Sequence, residues 1–197
     1  MTPERIFDAG LTIVDEAGVE GLSMRRLGAA LGVDPMAIYH HVPNKEALFH
    51  GIVRRVLAEM PMPGESGSWP TRVRQWARAY RAVVVAHPHL VLRIVTSPDA
   101  VAVAAGETNG ALYRSLQLSG LGPADIERGA GVIVDYVNGA VLAKATPPSA
   151  GEPADREPAG REPAERETAD RELDEVLDDV FEFGLDVVIA GLLHYVP

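Results

Sequence analysis

The sequence contains no cysteine among its 197 residues. This absence excludes disulfide bonds, thiolate metal ligands and cysteine nucleophiles, and it argues against an oxidising compartment. Long apolar runs are missing too, because every stretch of membrane-spanning length has a polar interruption, and the N-terminus lacks a basic region followed by an apolar run. We therefore expect a cytoplasmic protein with no membrane partner.

Motifs typical of enzymes are also missing. The sequence has no G-x-S-x-G nucleophile elbow, no phosphate-binding loop, no metal triad and no convincing acid–base pair. We expect no catalytic residue, no metal and no cofactor, and an enzyme is the least favoured class of function.

Basic charge is scarce. Eighteen Lys and Arg residues stand against 28 Asp and Glu residues, a formal net charge of −10, which predicts repulsion from a polyanion such as DNA. Residues 23–45 are a local exception, with Arg25, Arg26 and Lys45 against Asp34 as the one acid. Any binding to DNA is therefore expected to use few phosphate contacts per subunit and to depend on dimerisation.

Residues 23–45 also carry the clearest structural pattern. Ser23 can cap a helix with one apolar face. The positions of that face are Met24, Leu27, Gly28 and Leu31. Gly32 is a suitable end, since glycine adopts a left-handed conformation without a Cβ penalty. Asp34 and Pro35 then start another helix, as N-cap and first helical residue. The pattern predicts a helix-turn-helix, whose second helix enters a DNA major groove.

That second helix, predicted from Pro35 to about Val42, has one clear core residue, Ile38. The side chains left to face outward or to lie at its rim are Met36, Ala37, Tyr39, His40 and His41. Small apolar side chains contact thymine methyl groups in the major groove, and Tyr or His can donate to phosphates or base edges. The alternative is a short connecting helix with a partly buried Tyr39 and solvated histidines, and local features do not separate the two.

Residues 21–48, GLSMRRLGAALGVDPMAIYHHVPNKEAL, resemble the DNA-binding signature of the tetracycline-repressor (TetR) family of transcriptional regulators. The matching features are Gly21-Leu22-Ser23, Arg25, Leu27, Leu31-Gly32-Val33, Tyr39, His41-Val42 and Asn44-Lys45-Glu46-Ala47-Leu48. The resemblance implies that Arg25 and Lys45 contact phosphates or flanking bases. The full set of DNA-contacting residues that we predict is Ser23, Arg25, Met36, Ala37, Tyr39, His41, Asn44 and Lys45.

The regular elements of the chain are all predicted to be helices. A first helix starts at Thr2-Pro3, has a broad apolar face and ends at Gly18, and a fourth, capped by Asn44, runs to about residue 60. Residues 61–68 hold prolines and glycines that cannot continue a helix and form the predicted linker. We therefore predict an all-α fold. Residues 1–60 are its N-terminal three-helix helix-turn-helix domain with connecting helix 4, and residues 69–197 are a larger helical ligand-binding and dimerisation domain.

Two polar features of the second domain each have two interpretations. A predicted helix over residues 69–86 carries arginines that fit a second DNA surface or, more simply, a solvated face. These arginines are Arg72, Arg74, Arg78 and Arg81. His87 and His89 flank Pro88, and they fit a metal site or, more simply, a helix break, because no cysteine or nearby carboxylate completes a ligand set.

The next helices suggest a pocket for a small molecule. An almost wholly apolar helix over residues 90–95 lies next to one with scattered polar side chains, which suits a drug-sized ligand, although core packing explains the same residues. The candidate ligand contacts are His87, Arg93, Asn109, Tyr113, Gln117 and Asn138.

Two further helices are expected to form a dimer interface. The helix over residues 123–144 has interior glycines, each roughly 0.8 to 1 kcal/mol less favourable than alanine. Close approach of another helix would offset this, and a bend or a marginal helix is the alternative. The last helix, residues 173–195, is apolar on two faces and resembles the terminal helix of the TetR-type regulatory domain, which implies a four-helix dimer interface. The candidates are Gly129, Ile133, Gly139, Phe181, Gly184, Val188 and Gly191.

Residues 146–172 separate those helices and contain a five-residue Arg-Glu-Pro/Thr-Ala repeat with no large apolar residue. Such a segment cannot bury enough surface to offset its ordering entropy, so we predict a disordered loop. Its alternating charges fit a docking segment, although a tolerated insertion is the simpler account.

These features together predict a dimeric DNA-binding transcriptional regulator. We expect a repressor that a small-molecule effector of unknown identity releases from double-stranded operator DNA. The alternatives are a DNA-binding protein that does not respond to ligand and a helical scaffold protein.

Overall fold

The computed structural model describes residues 1–64, 66–145 and 163–196, and these residues form helices with no β-strand among them. The helices are α1 (Pro3–Gly21), α2 (Met24–Leu31), α3 (Pro35–Tyr39), α4 (Lys45–Leu57), α5 (Trp69–Ala86), α6 (Pro88–Val95), α7 (Pro98–Gln117), α8 (Pro123–Ala145) and α9 (Pro163–Leu193). The predicted all-α fold is confirmed. In the described part of the chain no helix is long and apolar enough to cross a bilayer.

Helices α1 to α4 pack together as a unit that we call the head. Helix α1 packs on α2 and α4, and α2 packs on α3. The buried side chains that join them include Ile6, Ile13, Leu27, Ile38, Leu48 and Ile52. Helix α4 approaches α1 closely at Gly51, where an added Cβ would lie 2.2 Å from the Phe7 ring. The head is thus a tightly packed support for the helix-turn-helix.

Two helix boundaries in the head differ from the predicted ones. Helix α3 ends at Tyr39 instead of residue 42, because the N–H groups of His41 and Val42 both bond to the Ile38 carbonyl and turn the chain. That turn buries Val42 and leads into α4. Helix α1 runs to Gly21, but its helical geometry is interrupted at the predicted end, Gly18, where φ is 68°.

Helices α5 to α9 form a second unit that we call the body. Helix α5 packs on α7 and α8, α6 packs on α7 and α8, and α9 packs on α8. Its largest fully buried side chains include Trp76, Leu90, Leu112, Leu116 and Phe181. Helices α6 and α7 also pack on α1 and α4 of the head. The two units therefore meet through a broad helical contact.

The last helix begins ten residues earlier than predicted, at Pro163 instead of Leu173. Residues 163–172 of the predicted disordered loop are therefore helical, which corrects that prediction. Alanine, glutamate and arginine favour a helix, and proline fits its first position. The prediction for residues 146–162 falls outside the described residues.

Candidate DNA-binding surface and effector region

Side-chain caps hold three helix starts in the head. Ser23 Oγ accepts a hydrogen bond from the Arg26 backbone N–H at 3.2 Å. Asp34 Oδ1 accepts from the Met36 N–H at 2.8 Å, and Asn44 Oδ1 accepts from the N–H three residues later at 2.7 Å. Each cap satisfies a donor that the first turn leaves without an intrahelical partner. The predicted caps are confirmed, and the exposed Ser23 and Asn44, both predicted to contact DNA, use their side-chain oxygens in them.

The turn between α2 and α3 sets the direction of α3. Gly32 has φ 68° and ψ 32°, a left-handed conformation that glycine adopts without strain. The Val33 N–H donates to the Gly28 carbonyl at 3.0 Å and closes α2. Ile38 is fully buried and anchors α3 to the head. Because one side of α3 is anchored, its other side faces solvent.

The solvent side of α3 is apolar and aromatic. Met36 is 66% exposed and Tyr39 is 44% exposed, Ala37 is half-buried, and His41 is exposed in the turn that follows. We call Met36, Ala37, Tyr39 and His41 the recognition face. Large apolar side chains this exposed are typical of a surface that a partner covers. The structure therefore brings together four of the residues predicted to contact DNA.

The basic residues of the head differ in their ion pairing. Arg26 pairs with Glu16 across α1 and α2 at 3.7 Å, and Arg55 pairs with Asp8 at 3.0 Å. Arg25 and Lys45 are exposed and make no ion pair with any described residue. The two basic side chains that the resemblance assigned to phosphate contacts are thus among those available to bind phosphate.

The head and the body are joined by a polar contact. His87 Nδ1 lies 3.0 Å from both carboxylate oxygens of Asp15 in α1. His87, a predicted ligand contact, therefore bonds to the head. Pro88 starts α6 directly after it, as the helix-break interpretation expects.

A cavity of about 540 Å³ lies between the two units, and residues from both line it. They are Val19, Glu20, Lys45, Glu46, Phe49, His50, Arg93, Thr96 and Ser97. The Arg93 guanidinium lies 6.0 Å from the centroid of the Phe49 ring. Arg93, predicted as a ligand contact, is therefore close to the base of the DNA-binding unit, so a movement of α6 would reach α4.

Polar groups inside the body lie between α5, α7 and α8. The Tyr80 hydroxyl donates to Asn138 Oδ1 at 3.1 Å, and burial raises the pKa of Tyr80 to about 12, so this donor stays protonated at neutral pH. Trp76 Nε1 donates to the Thr108 carbonyl at 3.0 Å. The Trp76 and Tyr80 rings stack with their centroids 5.0 Å apart. The interior thus offers aromatic surface beside a few hydrogen-bonding groups.

The remaining ligand candidates are spread along α7. Asn109 is half-buried and its Oδ1 accepts from the Thr108 hydroxyl at 3.2 Å. Tyr113 is half-buried, and Gln117 is exposed. Asn138 therefore contacts the aromatic pair directly, and Asn109 bonds to Thr108, whose carbonyl accepts from Trp76. The sequence does not identify Trp76, Tyr80 or Thr108 as ligand contacts, because apolar neighbours at helical spacing are typical of ordinary core residues.

The arginines of α5 do not form a free basic surface. Three of them pair with acids of α9: Arg74 with Asp186 at 2.9 Å, Arg78 with Glu182 at 2.7 Å, and Arg81 with Asp178. The Arg81 guanidinium also lies 4.5 Å from the centroid of the Phe181 ring. These three arginines therefore lie at the surface in ion pairs with α9, which gives no support to a second DNA surface and agrees with a solvent-exposed face for Arg78.

Helices α8 and α9 leave an apolar surface in the single chain, which we call the outer face. Its exposed side chains are Val132, Leu173, Val176, Val180, Phe183, Val187 and Leu193. Most of them belong to α9, whose acids face α5 and whose buried Phe181, Leu185 and Ile189 face the core. Phe183 is 71% exposed. Such a continuous patch is typical of a protein interface.

The predicted interface residues divide between the core and this outer face. Ile133 and Phe181 are buried within the chain. Gly129 is covered by Leu192 and Gly184 by Tyr136, whereas an added Cβ at Gly139 or Gly191 would meet nothing within 4 Å. Val188 is half-buried. A second subunit would reach the exposed members of this set and their neighbours on the outer face.

The arrangement is that of a helix-turn-helix DNA-binding protein with a helical regulatory domain. Residues 6–52 match the family model of bacterial regulatory proteins of the tetR family, and residues 60–196 match that of the tetracyclin repressor-like C-terminal domain. The chain belongs to the TetR family of transcriptional regulators. It is therefore a DNA-binding regulator, in a family whose members form dimers and respond to small molecules.

Individual relatives agree with this assignment. The tetracycline repressor protein class A from transposon 1721 of Escherichia coli is 31% identical over 98% of this chain and 90% of that protein. An HTH-type transcriptional regulator of Saccharopolyspora erythraea is 30% identical over 74% of this chain, which spans 61% of that protein's length.

Solved structures show the same fold. The transcriptional regulator SCO7222 of Streptomyces coelicolor superposes with a TM-score of 0.76 at 24% identity, covering both chains completely. The TetR family protein ActR of the same organism, solved in complex with actinorhodin, has a TM-score of 0.71 at 25% identity and covers 98% of this chain and 97% of that one.

Proposed function

We propose that this chain is a homodimeric repressor that binds double-stranded operator DNA and leaves it when a small molecule binds the body. It acts in the cytoplasm, and it acts by binding instead of turnover. The observation that carries the proposal is the recognition face, an exposed apolar and aromatic surface held at a defined angle by the buried Ile38. Arg25 and Lys45 lie in the adjoining helices, where they are free to neutralise phosphates.

Dimerisation would strengthen the binding of this acidic chain to DNA. One subunit offers few unpaired basic side chains beside the recognition face, so a single head would bind a polyanion weakly. Two heads double the number of neutralised phosphates. The outer face of α8 and α9 is the surface that supports pairing of two copies, because its apolar side chains are exposed in the single chain.

Effector binding acts through the spacing of the two heads. Two recognition helices must lie about one DNA turn apart, roughly 34–36 Å, to enter successive major grooves. An effector that prefers a different spacing weakens DNA binding by the same factor by which DNA weakens effector binding. The bond between His87 and Asp15 and the packing of α6 and α7 on the head support such a coupling, since these contacts connect the body to the head.

The effector proposed for the body is a drug-sized molecule with an apolar or aromatic framework and a few hydrogen-bonding groups. The stacked Trp76 and Tyr80 supply aromatic surface, and the Asn138 amide supplies a hydrogen-bonding group next to it. Asn109 supplies a second amide, bonded to Thr108. This composition is typical of small-molecule pockets.

Selection of bound sequences from a random pool of double-stranded DNA tests the proposal. A repressor of this kind should enrich a two-fold symmetric sequence, and candidate effectors should release it in a gel-shift assay. Tyr39→Ala and Lys45→Ala should each weaken operator binding while sedimentation shows an intact dimer. Arg114→Ala, at an exposed position of α7 on the body, is the control and should bind as the wild type does.

Other outcomes would contradict specific parts of the proposal. Wild-type affinity in both Tyr39→Ala and Lys45→Ala would refute the proposed DNA-binding surface, which consists of the recognition face and the basic residues beside it. Operator binding that no effector changes would favour the ligand-independent alternative. Turnover of a bound small molecule would show that the chain is an enzyme after all.

A further inference from the structure

The first turn of α3 offers few hydrogen-bonding groups to a base, because the side chains after its N-cap are Pro35, Met36 and Ala37. The Asp34 carboxylate is already an acceptor for the Met36 N–H at 2.8 Å, and the Asp34 carbonyl accepts from the Ala37 N–H at 2.9 Å. Pro35 has no N–H. The side chains of Met36 and Ala37 are apolar. The part of a recognition helix that meets base edges first is its N-terminal turn, and here the side chains that follow the N-cap, Pro35, Met36 and Ala37, have no hydrogen-bonding group.

The same turn presents an exposed methionine. Met36 is 66% exposed, whereas Ile38, two residues along and on the opposite side of the helix, is fully buried. The half-buried Ala37 lies beside Met36 and keeps the surface between them apolar. Covering this surface with an apolar group removes it from water, which is favourable.

The major groove contains one kind of apolar group, the C5-methyl of thymine. Guanine, adenine and cytosine edges present acceptors and donors instead, which Arg, Asn, Gln or acidic side chains read. Covering such a polar edge with Met36 and Ala37 would leave its donors and acceptors without partners, which is unfavourable. A thymine methyl has no such penalty.

We propose that Met36 and Ala37 select thymine in each operator half-site by contact with its C5-methyl group. The inference rests on the proposed DNA binding and makes it specific: the bases under the first turn of α3 are read through a methyl group, without a direct side-chain hydrogen bond. Tyr39 lies one turn further along, and its hydroxyl is available for a phosphate or a neighbouring base.

The test replaces thymine by deoxyuridine, which differs only in lacking the methyl group. The operator obtained by selection is synthesised with one thymine position at a time replaced in both half-sites, and binding to the full-length dimer is measured. Loss of one buried methyl group corresponds to roughly a fourfold loss of affinity, so symmetric replacement should weaken binding roughly 15-fold. An operator with cytosine at that thymine position should bind more weakly than the selected operator. Methylating this cytosine at C5 should recover part of the lost affinity. The effect should be confined to the one or two positions under Met36 and Ala37.

Variants assign the effect to a residue. Met36→Ala should lower the preference for thymine over deoxyuridine clearly below the wild-type ratio and leave only the part that Ala37 contributes. Met36→Gln should shift the preference towards adenine, because glutamine pairs with two groups of that base. Met62→Ala is the matched control, a methionine that is 51% exposed in the segment between α4 and α5, and it should keep the wild-type ratio.

The possible failures are distinguishable. If selection yields no operator, the proposed function fails. If an operator is bound but no deoxyuridine replacement changes affinity by more than about twofold, thymine selection is wrong although DNA binding stands. If the replacement weakens wild-type binding and Met36→Ala equally, the methyl group is read by another residue and the assignment to Met36 is wrong.

Discussion

Substitution of Gly184 by alanine tests whether α8 and α9 need their close approach. A Cβ at this position would lie 2.2 Å from Tyr136 Oη and 2.6 Å from its Cζ, well inside van der Waals contact. The Tyr136 hydroxyl donates to the carbonyl groups of Val180 at 3.2 Å and Phe181 at 2.9 Å. Its ring also stacks on Phe181 with the centroids 5.8 Å apart. The ring therefore cannot move away without losing these contacts.

The size of the effect follows from three terms of known sign. Forcing an extra methyl group into a packed contact is destabilising by about 1–3 kcal/mol. Loss of the tyrosine hydrogen bonding adds about 1 kcal/mol. Alanine is favoured over glycine in a helix by about 1 kcal/mol, which opposes both. We expect a net loss of about 2 kcal/mol, which for a chain of this length lowers Tm by about 4–8 °C.

Thermal unfolding followed by circular dichroism measures this loss. Gly110→Ala in α7 is the matched control, because its Cβ would meet only Arg114 Nη1, at an ordinary 3.5 Å. That variant should raise Tm by a few degrees through helix propensity alone. In a Tyr136→Ala background, Gly184→Ala should also become stabilising. A rise in Tm for Gly184→Ala in the wild-type background would refute the reasoning from close packing.

Three further predictions concern the DNA surface, the outer face and the body. Arg25→Ala should lower the magnitude of the slope of log affinity against log salt by about 1.8 in a dimer, since each phosphate contact contributes roughly 0.9. Arg26→Ala should change this slope little, because the Arg26 side chain pairs with Glu16. Equal slopes for the two variants would contradict the distinction between these arginines. Gly139→Leu should disturb dimerisation and leave the folded subunit intact, because its Cβ would meet open space within the chain; an unchanged sedimentation profile would remove this position from the interface. Tyr80→Phe should destabilise the protein by about 1 kcal/mol in urea unfolding, because the side-chain oxygen of Asn138 loses its donor. An unchanged midpoint of urea unfolding would show that solvent replaces this bond.

The helix starts of the head were predictable because a cap is a local interaction. Ser23, Asp34 and Asn44 each accept from an N–H two or three residues further along, so the residue type and the next few positions determine the outcome. The end of α3 was harder to predict. It coincides with the burial of Val42 in the core, and burial depends on how the helices of the head pack.

The roles of the basic residues could not be separated in the same way. Arg25 and Arg26 are neighbours of identical chemistry, and Arg26 alone meets Glu16 because α1 and α2 pack at one particular angle. The arginines of α5 meet acids about 100 residues away on α9. Periodicity places such residues on one side of a helix, but it contains no information about the helix opposite.

The sequence by itself determined the all-helical fold, the capped helix-turn-helix and the family, since helical spacing, capping residues and a contiguous motif are local properties. The tertiary structure alone decided which charges remain free, which glycines are covered, and which apolar side chains of α8 and α9 stay exposed. These outcomes depend on distances between residues far apart in the chain. Such distances are set by the packing of whole helices, to which each local segment contributes only a part.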